Sequence, residues 1–89
     1  MDQLLATYFL NFEKLKSEKT IIKINNPDEE LGLYMECLSV IDIIDEEDAS
    51  AVPFPHYYVL SGARQIWFSF GTIPGYNIME YHDFLNKVS

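Results

Sequence analysis

Apart from its carboxylates, the chain has few side chains whose chemistry suits a nucleophile, a general base or a metal ligand. They are one cysteine and two histidines: Cys37, His56 and His82. A cysteine beside a histidine is a common nucleophilic pair. Cys37, however, falls on the apolar side of an alternating segment, where a thiol packs as a small hydrophobic group. We therefore predict a buried structural cysteine, and we expect His82 to face solvent from a C-terminal helix.

The carboxylates form two clusters, and the second of these could bind a divalent cation. Asp28–Glu30 make the first cluster, and Asp42 followed by the acidic run Asp45–Asp48 makes the second. The second cluster lacks the alternating oxygen donors and the central glycine of an EF-hand loop. One cysteine and two distant histidines also lack the ligand spacing of a zinc site. With no phosphate-binding glycine loop and no triad motif, the sequence predicts no catalytic residue, no cofactor and no metal, and therefore no enzyme.

The composition is that of a small acidic domain. Its 89 residues include 14 Asp and Glu against 6 Lys and Arg, so the formal net charge is −8, and 48% of the residues are hydrophobic. Binding to nucleic-acid phosphates or to anionic membranes needs clustered Lys and Arg, so neither partner is expected. A basic protein surface is the natural electrostatic partner.

We expect a single domain over residues 1–89, located in the cytoplasm. A lone cysteine cannot form an internal disulfide, and the N-terminal segment MDQLLATYFLNF lacks the basic residues of a secretory signal. No apolar run in the sequence approaches the roughly 20 residues that span a bilayer.

Apolar residues recur at helical spacing at both ends of the chain. The N-terminal stripe consists of Leu4, Leu5, Tyr8, Phe9, Phe12 and Leu15. The C-terminal stripe consists of Ile78, Tyr81, Leu85 and Val88. Asn77 is the predicted N-cap of the second helix, and Glu80 occupies the acidic position of a capping box. Both patterns predict amphipathic helices that pack on a sheet.

Four strands are predicted between these helices. The first is Thr20–Asn25, a short β-branched run, and the second is an alternating segment from Leu31 to Ile43. The third and fourth, Tyr57–Ser61 and Arg64–Phe70, flank Gly62-Ala63, which suits a two-residue hairpin turn. The prediction is an α+β domain of order α-β-β-β-β-α, with a four-stranded antiparallel sheet and helices on one face.

The segment from residue 27 to residue 38 has a second interpretation. Asn26 suits an N-cap, Pro27 suits the first helical position, and the acids that follow suit the first turn of a helix. Against a helix, apolar residues alternate with period two, and Gly32 is a poor helix former. The strand is preferred, and the helix remains the alternative.

The aromatic residues of the hairpin suggest a protein-binding surface. Trp67 lies on the strand face opposite Phe68, so helices that cover Phe68 would leave Trp67 and one of the paired tyrosines partly exposed. Exposed aromatic residues are common anchors of protein interfaces. The predicted partner-binding residues combine these aromatics with both acidic clusters: Asp28, Glu29, Glu30, Asp42, Asp45, Glu46, Glu47, Asp48, Tyr57, Tyr58 and Trp67.

Acids on a rigid scaffold can occupy the place of nucleic-acid phosphates in a basic groove. Charge attraction would speed the encounter, and buried aromatics would slow release. We therefore expect a non-enzymatic protein that inhibits a basic nuclease or another nucleic-acid-binding protein. In size, charge and lack of motifs, the chain is similar in type to phage anti-restriction and anti-CRISPR proteins, although no stretch aligns with a named family.

Two other functions fit the same sequence. One is an immunity protein that neutralises a cationic toxin nuclease. The other is a small structural or regulatory subunit that oligomerises through a sheet edge or through the first helix. The sequence leaves open whether the chain is a monomer or a homodimer.

Overall fold

A computed structural model describes residues 3–37, 42–44, 52–62, 65–69 and 71–88, with the side chains of residues 3–5, 37 and 42–44 outside that description. Within these ranges the chain forms three helices and five strands. In chain order they are α1 (Gln3–Ser17), β1 (Thr20–Ile24), α2 (Pro27–Cys37), β2 (Asp42–Ile44), β3 (His56–Ser61), β4 (Gln65–Ser69), β5 (Asn77–Glu80) and α3 (Tyr81–Val88).

The five described strands form one mixed sheet in the order β2-β4-β3-β1-β5. β3 runs antiparallel to β1 and β4, whereas β1 is parallel to β5 and β2 is parallel to β4. The α+β class with flanking N- and C-terminal helices is confirmed. The purely antiparallel arrangement is wrong, and the sheet gains a strand, β5. The helix α2 connects β1 to β2, and a helical crossover returns the chain in the same direction.

Residues Pro27–Cys37 form a helix, so the predicted long strand is wrong and the helical alternative holds. Asn26 Oδ1 accepts a hydrogen bond from the backbone N–H of Glu29 at 2.9 Å. Glu29 Oε1 accepts one from the backbone N–H of Asn25, also at 2.9 Å. This reciprocal cap satisfies two backbone donors at the start of the helix. A Cβ at position 32 would overlap the Tyr81 hydroxyl. Glycine at this position of α2 therefore lets α3 pack close to it.

The hydrophobic core lies between the three helices and one face of the sheet. Its fully buried members come from six elements and include Phe12, Ile22, Leu33, Tyr58, Ile66 and Phe84. Burial of side chains of this size contributes roughly 1.5–3 kcal/mol each. The short α2 is therefore held by its packing, since a helix of this length is marginal on its own.

The C-terminal segment begins as a strand rather than as the predicted helix. β5 pairs in parallel with β1, and α3 starts at Tyr81. Asn77 is not an N-cap. Its backbone N–H donates to the Lys19 carbonyl at 2.7 Å, and its side-chain amide donates to the Glu18 carbonyl at 2.9 Å. These bonds attach the start of β5 to the turn before β1, and Ile78 leaves the helical stripe with 53% of its surface exposed.

The predicted hairpin is confirmed between β3 and β4. Ser61 pairs with Gln65, so three residues rather than the predicted two separate the paired strands. Gly62 has a φ of +58°, the left-handed conformation that glycine adopts without strain. The other two turn residues, 63 and 64, lie outside the described part of the chain. As predicted, Phe68 packs against the core and Trp67 lies on the opposite side of the strand.

Candidate functional site

The second face of the sheet, which the core does not use, carries an apolar row across its strands. Ile21 is paired with Ile78 on one side and with Val59 on the other, and Val59 is paired with Trp67. Directly paired residues point to the same face of a sheet. The β2 backbone is aligned with this row, because Ile44 is in register with Trp67. The row therefore meets all five described strands.

Part of this second face is covered by the chain itself. Ile21 is fully buried although the helices pack on the other face. The connection from Ser69 to Asn77 has to cross β3 and β1, because both strands lie between its ends. It crosses in the opposite direction to the α2 connection, so the right-handed rule for parallel crossovers predicts that the two lie on opposite faces. The burial of Ile21 agrees with that rule.

Trp67 is a large aromatic side chain that this face leaves accessible, with 37% of its surface exposed. Its indole Nε1 donates only a long hydrogen bond, 3.4 Å, to Gln65 Oε1. Tyr57 and Val59 lie half-buried on the neighbouring strand β3. A partly exposed indole among half-buried neighbours has the character of an interface anchor.

Tyr58 is placed differently from Trp67 and Tyr57. It is fully buried, and its ring makes edge-to-face contacts with Tyr34 and Phe68. Side chains alternate along a strand, so only one of the two paired tyrosines reaches the second face, and that is Tyr57. The prediction that Tyr58 contacts a partner is therefore corrected: it belongs to the core.

Acidic residues gather at the carboxyl end of the parallel strands, which we call the acidic end. The strands β1, β2, β4 and β5 all point towards it. β1 leads to Asp28 and Glu29 in α2, β5 ends at Glu80 and leads to Asp83 in α3, and β2 ends one residue before Asp45. β1 and β2 are three positions apart in the sheet, so these two strands lie about 14 Å apart.

The acidic run itself lies outside the described part of the chain, as does the side chain of Asp42. The run consists of Asp45, Glu46, Glu47 and Asp48. Its starting point is described, because the run follows Ile44 directly and Ile44 is in register with Trp67. The structure therefore places Ile44, the residue before the run, next to the strand that carries Trp67. It does not bring the whole predicted set together, since Asp42 is at the other end of β2.

The described carboxylates of the acidic end are held mainly by neutral donors. Asn25 Nδ2 donates to Glu80 Oε1 at 2.8 Å and approaches Glu29 Oε1 at 3.3 Å. His82 is 77% exposed, as predicted, and its Nε2 lies 3.8 Å from Glu29 Oε2. Lys23 on β1 is in register with Glu80. The N-terminus of α2 also favours negative charge, so the acids are positioned without being neutralised one by one.

Beneath the acidic end, Glu30 joins a buried polar cluster with His56. Glu30 Oε2 lies 2.6 Å from His56 Nδ1, and His56 Nε2 lies 2.7 Å from the Val52 carbonyl oxygen. A carbonyl oxygen only accepts, so Nε2 carries a proton, and one further proton lies between Nδ1 and the carboxyl group. Glu30 therefore stabilises the fold, and it is not one of the acids that are available to contact a partner.

Tyr58 completes this cluster by donating to the same Glu30 oxygen at 2.8 Å, and its hydroxyl lies 3.1 Å from that of Tyr34. Burial raises the pKa of the Tyr58 phenol far above its usual range, and the hydrogen bonds with Tyr34 and Glu30 act in the same direction. Tyr58 is thus a permanently neutral donor. His56 is only 1% exposed, so the cluster joins α2 to β3 and to the segment before β3 rather than presenting a base to solvent.

The backbone does not favour Cys37 and His56 as a nucleophilic pair, and the side chain of Cys37, which was predicted to be buried, lies outside the described part of the structure. Cys37 is the last residue of α2, whereas His56 is bound to Glu30, which lies seven residues earlier in the same helix. That separation is about 10 Å along the helix axis. Within the described residues, no group of three or more His, Cys, Asp or Glu side chains is arranged to hold a metal ion.

Comparison with known proteins finds no family model, no curated protein and no solved structure that matches this chain. Among the helices that the structure describes, none has both the length and the apolar character needed to cross a bilayer. The surface of the chain is therefore the remaining guide to its function.

Proposed function

We propose that this chain is a non-enzymatic acidic inhibitor that acts in the cytoplasm on a basic, nucleic-acid-handling protein, with a nuclease as the favoured target. The role is that of a phage anti-defence protein of the anti-CRISPR type. One observation supports the proposal: acids at or just after the ends of β1 and β5 lie at one end of the sheet, and Trp67 is exposed in register with Ile44, the residue that precedes the acidic run in the sequence.

The acidic end supplies the attraction in this proposal. With a net charge of −8, the molecule would be drawn towards a cationic groove over roughly 8–10 Å, the screening length of physiological salt. Such steering raises association rates by about 10- to 1,000-fold. Asn25 donates hydrogen bonds to the carboxylates of both Glu29 and Glu80 and so holds these two charges at a fixed spacing, as phosphates are held along a nucleic acid.

Trp67 would slow dissociation of the complex. A tryptophan that becomes fully desolvated against a partner is among the commonest interface hot spots. Tyr57 and Val59, half-buried on the next strand, would exclude water around it. The acidic run and Trp67 thus have separable roles, the first in the association rate and the second in the dissociation rate.

The test begins with capture of binding proteins on the immobilised chain at low and high salt, followed by purification of each candidate. The purified candidate is then assayed for cleavage or binding of a labelled nucleic acid with and without the chain. A basic target whose activity falls on addition of the chain is the expected result. A target with an acidic or uncharged contact surface, or a turnover activity of the chain alone, would contradict the proposal.

Two sets of substitutions with equal charge change separate the acidic run from net charge. Glu46→Gln, Glu47→Gln and Asp48→Asn should lower the association rate about tenfold at low salt and flatten its salt dependence. Glu13→Gln, Glu18→Gln and Glu36→Gln should change it much less, because these exposed acids lie away from the acidic end. Equal effects of the two sets would mean that net charge alone attracts the target.

A single substitution tests the anchor. Trp67→Ala should raise the dissociation rate by at least tenfold, equivalent to about 1.4 kcal/mol, and leave the association rate nearly unchanged. Leu10→Ala is the matched control, because Leu10 is 72% exposed and lies on α1, away from Trp67. If dissociation is unaffected by Trp67→Ala, the second face is not the contact surface.

A further inference from the structure

At the opposite end of the strands, which we call the lysine end, a groove of about 460 Å³ opens between α1, α3 and the β1–β5 edge. Its deepest side chains, Leu15 and Thr20, are 5% and 2% exposed. Met79 from β5 is half-buried beside them. The remaining lining is polar and comes from both helices and from β5: Asn11, Lys14, Glu18, Asn77 and Lys87. This volume lies within the range of small-molecule sites, about 300–1,000 Å³.

The groove concentrates positive charge in a chain that has little of it. Two of the six basic residues of the sequence, Lys14 and Lys87, line it. In the described part of the chain Lys16 forms an ion pair with Glu13, whereas neither Lys14 nor Lys87 forms one. Lys14 and Lys87 each lie in the last turn of their helix, where a cation is favoured. That preference does not explain why both side chains line the same groove.

One wall of the groove is fixed in place. The side chain and the backbone of Asn77 both donate to the turn between α1 and β1, at 2.9 and 2.7 Å. Lys14 and Leu15 lie three and four residues after Asn11, so the three share one face of α1, and Glu18 follows in the turn directly after the helix. The groove is therefore built into the junction of α1, β1 and β5, and it does not depend on flexible loops.

We propose that this groove binds a small organic anion, with a carboxylate or phosphate head group and a short apolar body. The head group lies between the ammonium groups of Lys14 and Lys87, which donate charge-assisted hydrogen bonds to it. The apolar body lies against Leu15 and Met79. Glu18, in the same lining, repels ligands of high negative charge and so selects those with one or two charges. This site is independent of the proposed inhibitory function, because it lies at the other end of the strands from the acidic end.

The test is a ¹⁵N NMR titration of the whole chain with three probes: inorganic phosphate, hexanoate and uncharged 1-hexanol. Probe concentrations up to about 10 mM detect a Kd in the millimolar range. The expected result is a set of saturable shifts at the backbone amides that line the groove, larger for hexanoate than for phosphate and absent for hexanol. The absence of saturable shifts with both anions, or equal shifts with hexanol and hexanoate, would overturn the proposal.

Substitutions assign the binding to the two lysines. Lys14→Gln with Lys87→Gln should weaken hexanoate binding about tenfold, the size of a charge-assisted contact. Lys23→Gln, a lysine on β1 outside the groove, should leave it unchanged. Glu18→Gln should tighten binding about threefold, and it provides a second test if the double variant is poorly folded. Unchanged affinity in the double variant, or weaker binding in Glu18→Gln, would overturn the assignment.

Discussion

The acidic end and the lysine end of this domain differ in how their charges are held. At the acidic end, carboxylates lie at the end of β5 and in the first turns of α2 and α3, and Asn25 donates hydrogen bonds of 2.9 and 2.8 Å to the carboxylates of Glu29 and Glu80. At the lysine end, long side chains extend from the last turns of α1 and α3, and Lys16 is the one that has a described carboxylate partner. Both ends obey the preference of helix termini for opposite charge.

In this domain, whose net charge is −8, the direction of the chain determines at which end the acids and the lysines lie. Four parallel strands end at the acidic end, and α2 and α3, which follow β1 and β5, begin there. Acids in first turns and lysines in last turns therefore accumulate at opposite ends without any long-range pairing. We infer that the rigidity with which the charged side chains are held, more than their number, distinguishes the two ends.

The largest effect is expected from the cluster that supports the acidic end. His56→Ala removes the partner of Glu30 and leaves a partly buried carboxylate and a cavity, so the free energy of unfolding should fall by about 3–5 kcal/mol in urea denaturation. His82→Ala is the control, because His82 is exposed at the same end, and it should stay within about 0.5 kcal/mol of the wild type. Similar losses of stability in both variants would mean that the Glu30–His56 cluster does not specifically support the acidic end.

A smaller loss is expected where α2 and α3 meet. Gly32→Ala would place a Cβ against the Tyr81 hydroxyl, and overpacking of this kind costs about 1–3 kcal/mol in spite of the better helix propensity of alanine. Gly71→Ala is the matched control, since a Cβ at Gly71 has no atom within 4 Å among the described residues. Adding Tyr81→Phe should restore part of the lost stability. A neutral or stabilising Gly32→Ala would show that the two helices are not in close contact.

Tyr58→Phe should act in a pH-dependent way. At pH 7 it should cost about 1–2 kcal/mol, because the hydrogen bond to Glu30 is lost. Because the pKa of Tyr58 is raised in the folded state, the unfolded chain loses this proton first above about pH 10, and folding stability falls by up to about 1.4 kcal/mol per pH unit. The variant lacks that contribution, so its deficit should shrink as the pH rises through 10 in urea denaturation. A constant deficit would contradict a buried phenol, and His82→Ala should keep the wild-type pH dependence.

The smallest effects compare single carboxylates at the two ends. Glu80→Gln keeps an acceptor for Asn25 and removes one charge from a negative cluster, so stability should rise by about 0.3 kcal/mol at low salt. Glu13→Gln breaks the pair with Lys16 and should lower stability by about 0.3 kcal/mol. Thermal unfolding at low and high salt measures both, and added salt should abolish the difference. Changes of the same sign would mean that the two ends are electrostatically alike.

Much of the fold follows from local patterns in the sequence, and the parts that do not follow depend on long-range pairing. The stripe of α1, the β1 run and the β3–β4 hairpin are local, and they were predicted correctly. The α2 segment was ambiguous because its alternation competes with a strong N-cap, and Leu33 decides for the helix by reaching the core. Nothing local indicates that Asn77–Glu80 pairs with β1, because its apolar spacing also continues the stripe of α3.

The site was predictable to a similar extent. Strand alternation placed Trp67 on the solvent side and also implied that only one of the two paired tyrosines could join it. Glu30 could not be separated from Asp28 and Glu29 by sequence, because its role depends on His56, which lies 26 positions away. Glu80 and Asp83 were missed as members of the acidic end because β5 was taken for a helix.

The two edges of the sheet have a consequence for the behaviour of the protein at high concentration. The edge strands β2 and β5 are only three and four residues long in the described part of the chain. Short edges offer few unpaired backbone groups to a neighbouring molecule, which limits strand addition and aggregation. Like charge at the acidic end would further oppose such stacking, so the protein should remain dispersed at high concentration.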